Sequence, residues 1–275
     1  MSKYNTIILP GGGIKAFSLL GGLQYMFDKN IFDEHVKYYS GTSIGSVICY
    51  FLAIGYTPIE IVAYSITNKV FDITLINNIE SLIKGDGIYN FSFFYNHFEK
   101  MTIDKIGYMP TLKNLYENMN KVLYTCTYNV TKKKKEYLSY LTHPDMLCID
   151  AIRLSCSLPF VFNDCIYNEE YFIDGGFVDN CPFSIVTDDD VSAIIFTLEQ
   201  KEEDEYKSFI DKLYNIMTIP ISELQMLQFS SINIKHHRVT LVTDPIKIYD
   251  FNIDNSFKLE LFSSGYNLTK KQLTF

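Results

Sequence analysis

The 275 residues include no tryptophan, and positive charge is scarce: 24 Lys and Arg stand against 32 Asp and Glu, a formal net charge of −8. A net acidic chain lacks the basic footprint of a nucleic-acid binder, so nucleic acid is excluded as a partner. It is also poorly matched overall to an anionic bilayer, which leaves contact through a local patch. Long hydrophobic runs are missing too. None approaches the roughly 18–20 residues that cross a bilayer, and the longest, Ile44 to Ile54, contains Gly45 and Ser46. Residues 1–5 hold no apolar segment of the kind that directs export, and Ser2 stands where N-myristoylation requires glycine. The six cysteines form no CxxC and no Cys/His cluster. They are expected to be free, mostly buried thiols in a reducing, intracellular (cytoplasmic) compartment, with peripheral membrane contact at most. No residue pattern calls for a metal or another cofactor.

What is present is apolar and aromatic. Hydrophobic residues make up 47% of the chain, with 21 Tyr and 21 Phe, enough to build a full core and to exclude disorder. Thr6 to Leu9 reads as a short strand running into three glycines, followed by a helical pattern through Phe17, Leu20, Leu23 and Phe27. Val36 to Tyr39 reads as a second strand, and Ser46 to Ile54 as a buried helix. Gly55 and Pro58 separate it from another helix, Ile59 to Thr67. Residues 70–118 read as helical and aromatic. Val122 to Val130 and Glu136 to Thr142 suggest a hairpin with lysines 132–135 at its tip. Asp150 to Ser157 is a short helix. Tyr171 to Ile173, Val191 to Thr197 and Val239 to Val242 are strands. Lys207 to Gln228 is a helix broken at Pro220, and Phe257 to Lys271 a terminal helix. There is no repeat and no linker. Strands alternating with helices predict one α/β domain over 1–275, its mostly parallel sheet covered on both faces.

Three blocks carry chemistry. Gly41-Thr42-Ser43-Ile44-Gly45 is a GxSxG between a strand and a helix. That is the pattern of a nucleophile elbow, where a sharp turn exposes the serine and small neighbours are obligatory. Gly11-Gly12-Gly13-Ile14-Lys15 leaves backbone N–H groups approachable. Such a loop can stabilise an oxyanion, hold a phosphate, or simply turn. Gly11, Gly13 and Ala16 also fit the GxGxxA of a dinucleotide fold, although the second strand ends without the acidic residue that a ribose needs. Asp174-Gly175-Gly176 is either an Asp-Gly turn or the placement of a functional carboxylate, and a nucleophilic serine requires a base. Histidine is the usual base, but His35, His97, His143, His236 and His237 all lie outside glycine-rich or strand-end settings.

Together these blocks resemble the patatin-like phospholipases. Gly11 to Lys15 with Gly21 and Leu23 is similar to the family's GGGxR/K…GxL stretch, Gly41 to Gly45 to its GxSxG, and Asp174-Gly175-Gly176 with Asn180 and Pro182 to its DG(G/A)…N.P block. Ser155-Cys156-Ser157-Leu158-Pro159 with Phe162 is similar to its SxSxPxxF segment. Order and spacing agree over roughly residues 5–185. Ala16 departs from the family, which usually has glycine there. The resemblance implies a three-layer α/β/α fold and a serine lipid acyl hydrolase of phospholipase A or lysophospholipase type. It implies a Ser–Asp dyad without histidine, with Ser43 as nucleophile and Asp174 as base. It places the oxyanion against the Gly11-Gly12-Gly13 loop and Ile44, the N–H groups of Gly12, Gly13 and Ile44 donating. Lys15 would orient that loop or meet a lipid phosphate, unless it is a solvated lysine at a helix start. The expected partner is a phospholipid or other acyl lipid. A catalytically silent lipid-binding or scaffold protein on the same fold, and a dinucleotide-binding enzyme, are the alternatives.

Two further features are expected to be structural first. Phe91, Phe94, Tyr95 and Phe98 line one helix face, as a core stripe or the wall of an acyl pocket. Lysines 132–135 are expected to be a solvated tip, with an anionic membrane as the alternative contact.

Overall fold

The computed structural model describes residues 4–31, 35–71, 87–185, 192–201, 209–230, 235–246, 250–251 and 253–273. The expected elements at 72–86, 202–208 and Val191 lie outside the described residues.

The strands are β1 (Thr6–Leu9), β2 (Tyr38–Thr42), β3 (Val122–Asn129), β4 (Lys134–Leu138), β5 (Cys165–Tyr167), β6 (Glu170–Asp174), β7 (Ser192–Gln200) and β8 (Lys235–Thr243). They form one sheet in the order β5-β6-β3-β2-β1-β7-β8, with β4 paired to β3 off that path. The run β3-β2-β1-β7-β8 is parallel. The β4, β5 and β6 pairings are antiparallel. The helices are α1 (Ala16–Asp28), α2 (Ile44–Ala53), α3 (Pro58–Thr67), α4 (Ser92–Ile106), α5 (Leu112–Met119), α6 (Cys148–Ser155), α7 (Phe209–Ser230) and α8 (Asn255–Gln272).

The three layers follow from the period of two along a strand, which sends successive side chains to opposite faces. Ile7 and Leu9 of β1, with Ile194 and Phe196 of β7, join the large core built with α1 and α2. Ile8, Ala193 and Ile195 face the other way, against Cys181, Phe183 and Phe229 of α7. A strand that reads as continuously apolar is one buried on both faces, and all four residues of β1 are.

Most expected elements are present, and the differences have physical reasons. β2 runs past Tyr39 through Ser40, Gly41 and Thr42, because the pairing with Tyr124, Thr125 and Cys126 overrides their weak strand preference. β5 carries no recognisable signal in the sequence. It joins β6 through Asn168 and Glu169, both at positive φ (49° and 65°), and Glu replaces the glycine that would announce such a hairpin. α7 continues through Pro220, since one missing N–H is a local defect that a long helix can carry. α3 starts as its sequence dictates, with Pro58 in its first turn and a capping box between Thr57 and Glu60.

The lysine run lies at the exposed tip of the β3–β4 hairpin, as expected, although three of its members are paired. Lys134 and Lys135 belong to β4. Lys132 pairs with Glu170, Lys134 with Glu136 and Lys135 with Asp179. The tip is solvated, and carboxylates on β4, β6 and the loop after Gly176 offset much of its charge. The aromatic stripe is core: Phe91, Phe94 and Phe98 are buried, and Phe91 and Phe94 pack on Phe162 at ring distances of 5.1 and 5.7 Å. Tyr95 is half-buried, its hydroxyl donating to Asp150 at 2.8 Å. Among the described residues, no single helix is long and apolar enough to cross a membrane, and all six cysteines are free and buried.

Candidate active site

Two strands running in opposite directions end at consecutive positions of β3. β2 runs parallel to β3 and ends with Thr42 opposite Cys126. β6 runs antiparallel and ends with Asp174 opposite Thr127. The residues that leave these strand ends are therefore thrown together, however far apart they lie in sequence.

Ser43 sits between β2 and α2 at φ 52°, ψ −128°. A positive φ on a non-glycine residue is a strained conformation that surrounding structure must enforce, and it is characteristic of a nucleophile elbow. The enforcement comes from the flanking glycines. A Cβ on Gly41 would lie 2.5 Å from the Gly45 carbonyl carbon, and one on Gly45 would lie 2.5 Å from the Leu9 oxygen and 2.6 Å from that of Pro10. Only hydrogen fits at either place. The Ser43 side chain comes near enough to Asp174 to act on its carboxyl as a hydrogen-bonding group.

Asp174 is 3% exposed. Its Oδ1 also accepts the Gly176 N–H at 2.7 Å, over a short turn, Gly175–Phe177. Burial pushes its carboxyl up to about 6, and the hydrogen bonds from Ser43 and Gly176 oppose that rise.

The loop from Gly11 passes close to Ser43: a Cβ on Gly11 would stand 3.1 Å from that of Ser43. Gly13 adopts φ 52°. Gly11 itself cannot serve as an oxyanion donor, because its N–H donates to the Asn180 carbonyl at 3.1 Å. Among the described residues no partner is found for the N–H groups of Gly12 and Gly13, or for that of Ile44 in the first turn of α2. These are the groups a helix start and a glycine turn leave over for an anion.

Lys15 is not a solvated helix-start lysine. It is 7% exposed, and its Nζ donates to Gln200 Oε1 at 2.7 Å, tying the end of the glycine loop to the end of β7. Burial lowers its ammonium to about 8.

The segment 155–157 holds the main chain of both Ser43 and Asp174. Ser155 Oγ accepts the Ser43 N–H at 2.9 Å and donates to the Cys126 carbonyl at 2.6 Å. The Ser157 carbonyl accepts the Asp174 N–H at 2.9 Å. The sequence marks these serines as part of a recognisable segment but assigns them no task. Their task depends on which backbone groups the elbow leaves unpaired, and only the fold sets that. Three of the histidines are engaged elsewhere: His97 with Tyr64, His143 beside Thr142 and Glu136, and His237 with Tyr4.

Comparison with known proteins agrees with this architecture. Residues 7–187 match the family described as patatin-like phospholipase. A probable lipid hydrolase, 463L, of Invertebrate iridescent virus 6 is 29% identical over 98% of this chain and 90% of its own length. An uncharacterised protein, R571, of Acanthamoeba polyphaga mimivirus is 27% identical over 99% of this chain and 94% of its own. Among solved structures, VipD from Legionella pneumophila superimposes with a TM-score of 0.59 at 17% identity, over 99% of this chain and 67% of that one. The type III effector ExoU from Pseudomonas aeruginosa gives 0.51 at 16% identity, this chain spanning 53% of its length. The family match spans well over half of the chain and takes in all three blocks, and this chain belongs to the patatin-like phospholipase family.

Proposed function

We propose that this chain is a serine hydrolase of phospholipid carboxylic esters, of phospholipase A or lysophospholipase type, with Ser43 as nucleophile and Asp174 as its base. The observation that carries this reading is the convergence of a strained Ser43 and the buried Asp174 at facing strand ends on β3, with Ser43 near enough to act on that carboxyl.

The chemistry follows from that pair. Ser43 Oγ attacks the ester carbonyl carbon as its proton passes to Asp174, so no free alkoxide forms. The carbonyl oxygen becomes an oxyanion facing the N–H groups of Gly12, Gly13 and Ile44. Each such donor is typically worth about 10²–10³ in rate. The tetrahedral intermediate collapses, the C–O bond to the alcohol breaks, and that alcohol takes the proton from Asp174. Water then attacks the acyl-Ser43 ester, gives its proton to Asp174, and the fatty acid leaves as Ser43 recovers its hydrogen. A carboxyl raised to about 6 is a stronger base than an exposed aspartate yet still mostly ionised at neutral pH. A lipid substrate is favoured by family membership and by the name of the iridescent-virus relative.

Transient contact with a lipid surface is assigned to α7 rather than to the paired lysines. Ile216, Ile219, Leu224, Met226 and Leu227 of α7 are exposed, and this helix packs against the turn that follows Asp174. The six free, buried thiols fit a reducing compartment.

The test is labelling with a fluorophosphonate, alongside hydrolysis of p-nitrophenyl butyrate and phosphatidylcholine vesicles. Wild type should label at Ser43 and turn over both, whereas Ser43→Ala should do neither and Asp174→Asn should be slowed by several orders of magnitude. An unlabelled wild type would instead favour a silent lipid-binding protein on this fold.

A further inference from the structure

A second buried aspartate lies five positions beyond Asp174 and has no part in the chemistry above. The Asp179 side chain is 2% exposed. Its carboxylate is met by Lys135 Nζ at 3.1 Å and by the Tyr137 hydroxyl, both on β4. The Tyr137 hydroxyl is also 3.1 Å from Ser184 Oγ. Among the described residues, the other carboxylate oxygen, Oδ1, is buried without a hydrogen-bond partner. A carboxylate kept dry and half-satisfied is costly, and such a group calls for an explanation.

The main chain around Asp179 supplies one. Its carbonyl accepts the hydroxyl of Thr42, the residue before Ser43, at 2.8 Å. Its N–H donates to the carbonyl of Gly175, the residue after Asp174, at 2.9 Å. The next residue, Asn180, accepts the Gly11 N–H at 3.1 Å and returns its side-chain amide to the Gly11 carbonyl at 3.4 Å. Two residues later, the Pro182 carbonyl accepts the Ser40 hydroxyl at 2.7 Å. One irregular segment thus touches the strand that delivers the serine, the turn that delivers the aspartate and the start of the glycine loop. It belongs to no strand or helix, so no ladder of backbone bonds fixes it. Besides those scattered bonds, the Asp179 side chain ties it to β4.

We propose that Asp179, clamped by Lys135 and Tyr137, is a positioning residue that sets Ser43, Asp174 and the glycine loop at their mutual distances. This rests on the dyad reading above but assigns a new task to residues outside the dyad. It also accounts for a lysine that the sequence presents as one of four surface charges. Lys135 is the member of the run that reaches the site, through a carboxylate and one stretch of main chain.

Displacing a reacting group by about 1 Å can cost roughly 10²-fold in rate without weakening binding. The experiment compares Lys135→Met, Tyr137→Phe, Lys135→Arg and Lys133→Gln with wild type, each checked for folding by circular dichroism and thermal melting. Steady-state kinetics on p-nitrophenyl butyrate and the rate of fluorophosphonate labelling at Ser43 are measured on each. Lys135→Met should lower kcat and the labelling rate about 10- to 100-fold with KM within about twofold. Lys135→Arg should recover most of that loss, and Tyr137→Phe should show a smaller loss of the same kind. Lys133→Gln, from the same run, should match wild type. If Lys135→Met fails to fold, Tyr137→Phe decides alone. A folded Lys135→Met, or failing that a folded Tyr137→Phe, with wild-type kcat and labelling rate would overturn the proposal, as would a loss confined to KM. A wild type that neither labels nor hydrolyses removes the dyad reading, and this one with it, whereas an active wild type with unslowed variants removes this one alone.

Discussion

Ser43 and Asp174 meet because the strands that deliver them end at consecutive positions of β3, Thr42 opposite Cys126 and Asp174 opposite Thr127. That meeting sets a half-buried serine beside a buried carboxylate, and the way it is built has measurable consequences.

The first concerns the pH dependence of the reaction. As the proposed base, Asp174 would have to be ionised to accept the serine proton, and burial lifts its carboxyl to about 6. The value of kcat/KM should therefore rise as pH increases through about 6 and level off above 7. A pH–rate profile on a soluble ester checks this. A limb near 4 would mean that the base is solvated or is another group.

The same shift makes Asp174 a liability for stability. Its folded-state pKa lies above the ordinary 3.8. The folded state therefore favours the protonated form, and stability falls as pH rises from about 4 through about 6. Two units correspond to roughly 3 kcal/mol, lost in full above the folded pKa. Asp174→Asn, which has no charge to bury, should melt higher than wild type at pH 8, and the gap should narrow at pH 5. A gap that does not change with pH would show that desolvation is not the cause.

Ser155→Ala should damage the elbow without touching the dyad. It leaves the Ser43 N–H without its acceptor and the Cys126 carbonyl without its donor, in a place where Ser155 and Cys126 are fully buried. Each orphaned group costs about 1–3 kcal/mol. A fall in melting temperature together with a drop in kcat is expected. If melting and kcat both match wild type, the bridge between Cys126 and Ser43 has no such role.

Packing at two close approaches should be intolerant of a single methyl group. On Gly45 it would meet the Leu9 and Pro10 carbonyls, and on Gly265 it would lie 1.9 Å from the Ser18 carbonyl where α8 crosses α1. Backbone cannot yield as a side-chain tip can, so Gly45→Ala and Gly265→Ala should each destabilise by at least about 1–3 kcal/mol. They should differ in activity: Gly45→Ala moves Ser43, whereas Gly265→Ala leaves any surviving folded protein active. Melting curves and labelling per folded molecule separate the two.

Much of this architecture is legible in the chain itself. β1, α1 and α3 follow from apolar period, a glycine turn and a proline start, all local signals. The elbow, the glycine loop and the Asp-Gly-Gly turn are legible because each needs residues without a Cβ at fixed offsets. β5 is not legible, because its hairpin uses Asn168 and Glu169 at positive φ in place of a glycine. The lysine run is legible as an exposed hairpin tip, but its pairing is not, because charge density along a chain does not show which carboxylates face it. Glu170 and Asp179 lie far down the chain from Lys132 and Lys135, and strand pairing brings them together.

Local sequence thus sets which atoms are available: a serine forced into a tight turn, an aspartate entering glycines, and N–H groups that a loop and a helix start leave unpaired. Those are consequences of local sterics, which a chain carries wherever it folds. Which of them meet is settled by the three-dimensional arrangement alone. The head-on ending of β2 and β6 on β3 brings Ser43 and Asp174 together, and burial there raises the aspartate. The return of 179–182 past Thr42 and Gly11 occupies the Gly11 N–H and leaves those of Gly12 and Gly13. Distance, desolvation and the pairing of backbone groups are properties of neighbours in space, and a sequence records only neighbours along the chain.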